Sequence, residues 1–345
     1  VGRLAGVKLG LVLGGGGLIG MGYHAGALKA LDEFGIDVAS ADVIVGTSAG
    51  SVMASYLSIG WTPTDFFEYA HGRHPDVEKE ATNNGVPTVF VPLYRNAGER
   101  VARSIGSMFA VASSRGYVGR LTRGRMPGSF LRHAFPSGLF STTDTRLRLQ
   151  EDLPEEWPMR DVYLCAADLY TGERVPFGHP DAPHAPFPDA VLASTAIPGI
   201  FPPVKIGEHQ YVDGGIVSAT SLDLAVEAGC EAIICIAPLG YRNEGGLAEP
   251  KLWGPMLMRS IFARSLKREV LDARRQGIQV LVIRPYASDL AELGTNSMRN
   301  FDRPAIVELS RQSATRLLES EPDHPALRGF QSQASETRSR SSSLQ

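Results

Sequence analysis

Residues 9–20 read Leu-Gly-Leu-Val-Leu, then four glycines, then Leu18-Ile19-Gly20. An apolar run of strand length enters a glycine cluster and leaves it as the start of a helix. A row of glycine N–H groups at a helix start is a ready anion site, because the amides are unhindered and the helix end carries partial positive charge. Gly15, Gly17 and Gly20 also satisfy G-x-G-x-x-G, the pattern of a dinucleotide-binding turn. The junction therefore commits the chain to strand–turn–helix architecture, and leaves two anions to choose between: a pyrophosphate or a tetrahedral oxyanion.

The same rhythm recurs. Val7–Leu13 reads as a strand, Gly20–Phe34 as a helix closed by Gly35, Asp42–Val45 as a strand and Ser51–Ile59 as a helix. That order argues for a parallel sheet covered by helices. From His71 to Phe135 strand patterns fade, and Gly, Pro, Asn and Arg accumulate. Then Val162–Ala167 reads as a strand, Pro188–Ala196 as a helix, Val204–Val212 as a hairpin and Ala219–Ala228 as a helix. Ala232–Ala237 and Ile278–Arg284 read as strands, and Leu252–Gln276 and Pro304–Glu319 as helices. With 345 residues, 43% of them hydrophobic, the chain can fill a large core.

Gly46-Thr47-Ser48-Ala49-Gly50 fits G-x-S-x-G and lies between a strand and a helix. In a nucleophile elbow the serine occupies a strained turn, and Gly46 and Gly50 are needed because a Cβ there would strike backbone. The histidines after Ser48 lie mostly in Pro- and Gly-rich surroundings, and only His324 follows Asp213, so a histidine triad has little support. The better partner is Asp213, which ends an apolar approach and is backed by Gly214 and Gly215. A free carboxylate, with a pKa of about 3.9, is a weak base for a hydroxyl. A Ser–Asp pair therefore relies on strong oxyanion stabilisation, and Gly15, Gly16, Gly17 and Gly20 are the candidates to supply it. A dinucleotide site instead wants an acid closing the second strand. Here that strand ends in Gly46-Thr47-Ser48, while Asp42 opens it.

The glycine turn GGGGLIG, the elbow GTSAG, the segment Ala193–Gly215 and the stretch Ala166–Glu173 together resemble the patatin-like phospholipases. The resemblance spans roughly residues 7–240. It implies a three-layer α/β/α fold with a mainly parallel central sheet, a Ser48–Asp213 dyad that hydrolyses acyl esters of lipids, and no metal or organic cofactor. Two departures stand out. Ile19 sits where the family's turn usually has a basic residue, and Ser218-Ala219-Thr220-Ser221 follows the DGG motif where an asparagine is frequent. The competing readings are a nucleotide-binding Rossmann-like protein and a catalytically inactive lipid-binding relative.

The expected organisation is one hydrolase domain over residues 1–325, a cap-like insertion at about 71–135, and a disordered polar tail at 331–345. Eight arginines and a single acid, Glu99, fall between Arg95 and Arg132, in a chain of net charge −3. That segment is the candidate for peripheral contact with an anionic membrane. Leu252–Gln276 is amphipathic and basic and is read as a packing helix, His24 as a structural histidine, and Asp168 and Thr171 as shaping a loop near the site. Cys165, Cys230 and Cys235 lie in apolar runs and are expected as buried, reduced thiols of a cytoplasmic protein. No apolar run approaches the ~20 residues of a bilayer span, and the net charge gives no field favouring nucleic acid.

Overall fold

The structure is a computed structural model. It describes residues 6–76, 82–83, 86–87, 90–112, 138–243, 253–294, 296–298 and 302–331. In chain order the elements are β1 (Leu9–Leu13), α1 (Gly17–Glu33), β2 (Val43–Thr47), α2 (Ala49–Ser58), α3 (Pro63–Ala70), β3 (Thr82–Asn83), β4 (Val86–Pro87), α4 (Ala97–Ala112) and α5 (Thr143–Asp152). There follow β5 (Asp161–Asp168), β6 (Arg174–Phe177), α6 (Phe187–Ser194), β7 (Val204–Ile206), β8 (His209–Asp213), α7 (Asp223–Glu227), β9 (Ala232–Ile236), α8 (Trp253–Arg275), β10 (Gln279–Ile283), α9 (Leu290–Leu293) and α10 (Arg303–Ser320). The protein is a mixed α/β fold. Its chain divides into two compact units, one of residues 1–77, 158–163 and 218–345, the other of residues 78–157 and 164–217.

The first unit holds four parallel strands in the order β10-β9-β1-β2. Every residue of β1, β2 and β9 is buried. Such strands need apolar side chains on both faces, which is why they read as unbroken hydrophobic runs. Leu13 is level with Ile236 on one side and Gly46 on the other. The carboxyl ends of three strands thus finish together, and their following turns share one edge. At the opposite end the Asp42 carboxylate accepts the Leu9 N–H at 2.9 Å, which fixes the register of β1 against β2. Helix α1 starts at Gly17, three residues before the sequence reading, so the glycine run itself forms the helix N-terminus. It ends as expected: Gly35 is left-handed at φ +72°. Helix α3 is set at its start by Thr62 and Asp65, which form a reciprocal capping box.

The second unit is antiparallel. Strand β5 pairs with β6 and β8, and β7 with β8 forms the expected hairpin. Asp213 stands opposite Ala166. Helices α5 and α6 are joined by an Arg146–Asp189 ion pair at 2.6 Å. The expected parallel sheet is thus the property of the first unit. Of the insertion at 71–135, the hairpin β3–β4 and helix α4 are described, and residues 113–137 lie outside the described residues, with five of the eight arginines. The tail beyond Gln331 also lies outside them. All three cysteines are buried free thiols, and burial pushes the Cys230 thiol up to about 12. Among the described residues, no helix is long and apolar enough to cross a membrane.

Candidate active site

Ser48 stands between β2 and α2 with φ 55° and ψ −120°. A non-glycine residue is held in this region only when its surroundings over-determine it, and such strain concentrates at functional turns. The surroundings are visible. A Cβ on Gly46 would come within 2.7 Å of the Gly50 carbonyl oxygen, and one on Gly50 would overlap the Leu13 carbonyl. The two glycines let α2 turn back onto β1 and β2 at once, which leaves Ser48 at the apex. Ser48 is buried, and α2 begins at the next residue, so the helix end adds positive potential beside it.

The glycine turn lies against this serine: a Cβ on Gly15 would sit 3.5 Å from the Ser48 Cβ. Gly17 is left-handed at φ +59° and is hemmed in by Ser297 and Met298, so no side chain fits there. The N–H groups of the turn divide into two sets. Gly14 donates to Ile236 at 2.9 Å, Gly15 to Ala219 at 2.7 Å, Ile19 to Ser297 at 3.1 Å and Gly20 to Gly16 at 2.8 Å. Among the described residues, none accepts from the N–H groups of Gly16, Gly17 and Leu18. The sequence reading treated Gly15 and Gly20 as oxyanion donors, but their amides are already engaged within the protein. They frame the turn, and the amides without an acceptor among the described residues are those of Gly16, Gly17 and Leu18.

Three residues brace this turn. His24 is fully buried, and its Nε2 lies 2.7 Å from the Gly14 carbonyl, to which a neutral ring donates. Burial pushes its pKa down to about 4, so the ring stays neutral, in keeping with a structural histidine. Arg259 is buried and donates to the carbonyls of Pro238 and Gly240, and burial pushes its pKa down to about 10. Pro238 in turn packs on the turn, 3.0 Å from a Cβ built on Gly16.

Glu269 of α8 is the third brace. It accepts from Ser218 Oγ and Thr220 Oγ1 at 2.7 Å each, and from the Leu222 N–H at 3.1 Å. These bonds hold the loop whose Ala219 carbonyl takes the Gly15 N–H. They also explain why helix α7 starts only at Asp223: the first residues of the helix expected over Ala219–Ala228 are held in a turn, with Ser221 at φ 52°. Sequence reasoning missed Glu269. Its signal was an acid on the buried face of a basic helix, between Leu266 and Ala273. Ile19, at the position where a basic residue was expected, is 2% exposed and packs as a core side chain.

In the second unit Asp213 ends β8, buried. Its N–H donates to the Ala196 carbonyl at 3.0 Å, and its Oδ1 accepts from the Gly215 N–H at 2.7 Å. A Cβ on Gly214 would lie 2.7 Å from the Cys165 carbonyl carbon, so Gly214 lets the chain cross β5 closely. Asp168 shapes a loop as expected: its Oδ1 accepts from the N–H groups of Tyr170 and Thr171 at 2.6 and 3.0 Å. Its Oδ2 meets His209 Nδ1 at 2.5 Å, a contact the sequence did not foreshadow. Among the described residues there is no cluster of His, Cys, Asp and Glu fit to hold a metal ion.

A serine on a strained strand-to-helix turn of an α/β sheet, beside a glycine turn rich in amides, has the geometry of a nucleophile elbow. The chain belongs to the patatin-like phospholipase family, whose model matches residues 11–226. An uncharacterised NTE family protein of Mycobacterium tuberculosis is 24% identical over 340 residues, covering 93% of this chain and 48% of that protein. A protein named lysophospholipase nte1 from Aspergillus fumigatus is 29% identical over 235 residues, covering 68% of this chain and 12% of that one. The chain thus spans about half the length of the mycobacterial relative and far less of the fungal one. Among solved structures, VipD from Legionella pneumophila matches at a TM-score of 0.42 and 15% identity, over 90% of this chain and 66% of that one.

Proposed function

We propose that the chain is a serine hydrolase of lipid acyl esters with a Ser48–Asp213 dyad. Asp213 takes the proton as Ser48 Oγ attacks the ester carbonyl. The N–H groups of Gly16 and Gly17, with the α1 N-terminus, stabilise the resulting oxyanion, and the alcohol leaves with the proton. Water then attacks the acyl-serine, giving up a proton to the Asp213 carboxylate; the bond from Ser48 Oγ to the acyl carbon breaks, the fatty acid leaves, and Asp213 returns the proton to Ser48 Oγ. The observation that carries this reading is the strained Ser48 backbone set against Gly15. Asp213 is buried, and the bond its Oδ1 accepts from the Gly215 N–H fixes the carboxylate's orientation at the end of β8. No metal or organic cofactor enters this chemistry.

The substrate class is a glycerolipid. The name lysophospholipase carried by the fungal relative makes a single-chain phospholipid the first candidate. A cap over residues 71–135, contacting anionic membrane through the arginines of 95–132, brings the lipid in. Its described part fits: on α4, Val101 and Ile105 are 57% and 55% exposed beside Arg100 and Arg103. The working compartment is the cytoplasm, with peripheral membrane contact.

Fluorophosphonate labelling tests the reading. The adduct is expected on Ser48, lost in Ser48→Ala and strongly reduced in Asp213→Asn. No adduct, with thermal stabilisation by NAD or ATP, would instead support a nucleotide-binding protein. Liposome binding without any adduct would support an inactive lipid-binding relative.

A further inference from the structure

Helix α8 has two faces that do different things. Its inner face carries Leu266, Val270 and Ala273 into the core, so the packing role read from sequence holds. Phe262, Ser265 and Leu266 also line a small cavity next to Gly14 and Gly15. The outer face is not the polar surface such a helix normally presents. Leu257 is 70% exposed, Ile261 65% and Leu271 41%.

These side chains fall on one line with three arginines. Leu257, Ile261, Arg264, Arg268, Leu271 and Arg275 follow one another at alternating steps of four and three residues. At about 100° per residue they occupy an arc of about 80°. The apolar pair leads and the cations follow, with Lys267 and Arg274 on the flank, all exposed. The helix has two acids. Glu269 is turned inward onto Ser218 and Thr220, and Asp272 is paired with Arg275 at 2.8 Å. Among the described residues no carboxylate pairs with Arg264, Lys267 or Arg268. In a chain of net charge −3 this is a local reversal of sign.

We propose that the outward stripe of α8 is a docking surface for an anionic phospholipid bilayer. Large exposed aliphatic side chains in line with cations that meet no carboxylate among the described residues (Arg264 donates only within the helix, to Ser260) suit a helix lying in the headgroup plane. The leucine and isoleucine enter the acyl boundary while the guanidinium groups bind phosphate. A single convex helix offers no groove for a rigid partner, whereas a bilayer yields to its shape. The consequence for catalysis rests on the hydrolase reading: the opposite face of the same helix borders the glycine turn, so docking would hold that turn about one helix diameter from the lipid.

The test is co-sedimentation of the full chain with phosphatidylcholine vesicles, with and without phosphatidylglycerol, at low and high salt. Binding is expected only with phosphatidylglycerol and is expected to fall about tenfold or more at high salt. The pair Leu257→Ser/Ile261→Ser and the pair Arg264→Gln/Arg268→Gln should each weaken it by about tenfold or more. Both pairs should hydrolyse a short water-soluble ester as the parent does, which shows that they fold. Ser48→Ala should bind vesicles undiminished, so loss of the hydrolase reading would leave docking standing. The proposal is overturned if the parent ignores anionic vesicles, or if both pairs bind as tightly as the parent. It is also overturned if the substitutions instead abolish a concentration-dependent dimer, which would make the stripe a contact between copies.

Discussion

The two units hold Ser48 and Asp213, the residues of the proposed dyad, in different ways. In the first, Ser48 is fixed by parallel strands buried on both faces and by glycines that let backbone meet backbone. In the second, Asp213 is fixed by an antiparallel hairpin, a bond from its own N–H to Ala196 and a short Asx-type turn to Gly215. The serine's position follows from the sheet as a whole, and the aspartate's from a few local bonds. A parallel sheet aligns strand ends by register alone, whereas a hairpin must place its terminal residue by turn chemistry.

The largest test of this contrast is kinetic. Ser48→Ala and Asp213→Asn are each expected to lower ester hydrolysis about a thousandfold or more, and the double variant no further, because groups acting as a unit are not additive. Losses that multiply would show that the two units do not serve one reaction. Next in size is stability. Gly50→Ala drives a methyl group into the Leu13 carbonyl, and Gly214→Ala drives one against the Cys165 carbonyl. Each should cost about 3 kcal/mol or more, read as a lower urea midpoint. An unchanged midpoint in either would mean that the backbone has slack where the structure shows none.

The pH dependence of folding separates the first unit further. His24 takes up a proton near its ordinary value of 6.5 when unfolded but only near about 4 when folded. Its contribution is therefore complete above pH 6.5 and drains away as the pH falls toward 4, by about 3 kcal/mol in all. His24→Gln should flatten that part of a melting profile; an unaltered slope would assign the loss to other groups. The smallest effect belongs to Glu269→Gln. Losing the charge that holds Ser218, Thr220 and Leu222 should cost about 1–2 kcal/mol and slow fluorophosphonate labelling several-fold. Full-rate labelling with lowered stability would make the clamp purely structural.

The difference between the units also decided what could be read from the sequence. LGLVL, AIICI and the VLVI of β10 are apolar runs because both faces of a parallel strand are covered, and each was legible as a strand. Strand β6, Arg174–Phe177, is four residues with mixed exposure and offered no period to count. Helix α5 was missed because its sequence, TDTRLRLQED, is polar and buries only Leu149. The candidate site was legible where chemistry requires glycine, at Gly15–Gly17, Gly46, Gly50 and Gly214. It was not legible where a partner distant in sequence was needed. Glu269 lies 51 residues beyond the serine it holds, and the capture of the Gly15 amide by Ala219 spans most of the first unit. Periodicity reports what a residue is buried in, and says little about which amide is already spoken for.

The burial of Ile19 carries a last consequence. Under the proposed reading, residues 14–20 offer an anion backbone amides and no cationic side chain of their own. Their grip on a developing negative oxygen should then be indifferent to added electrolyte, so that turnover of an uncharged, freely dissolved ester stays level across a range of ionic strengths in which a turn relying on an arginine would falter.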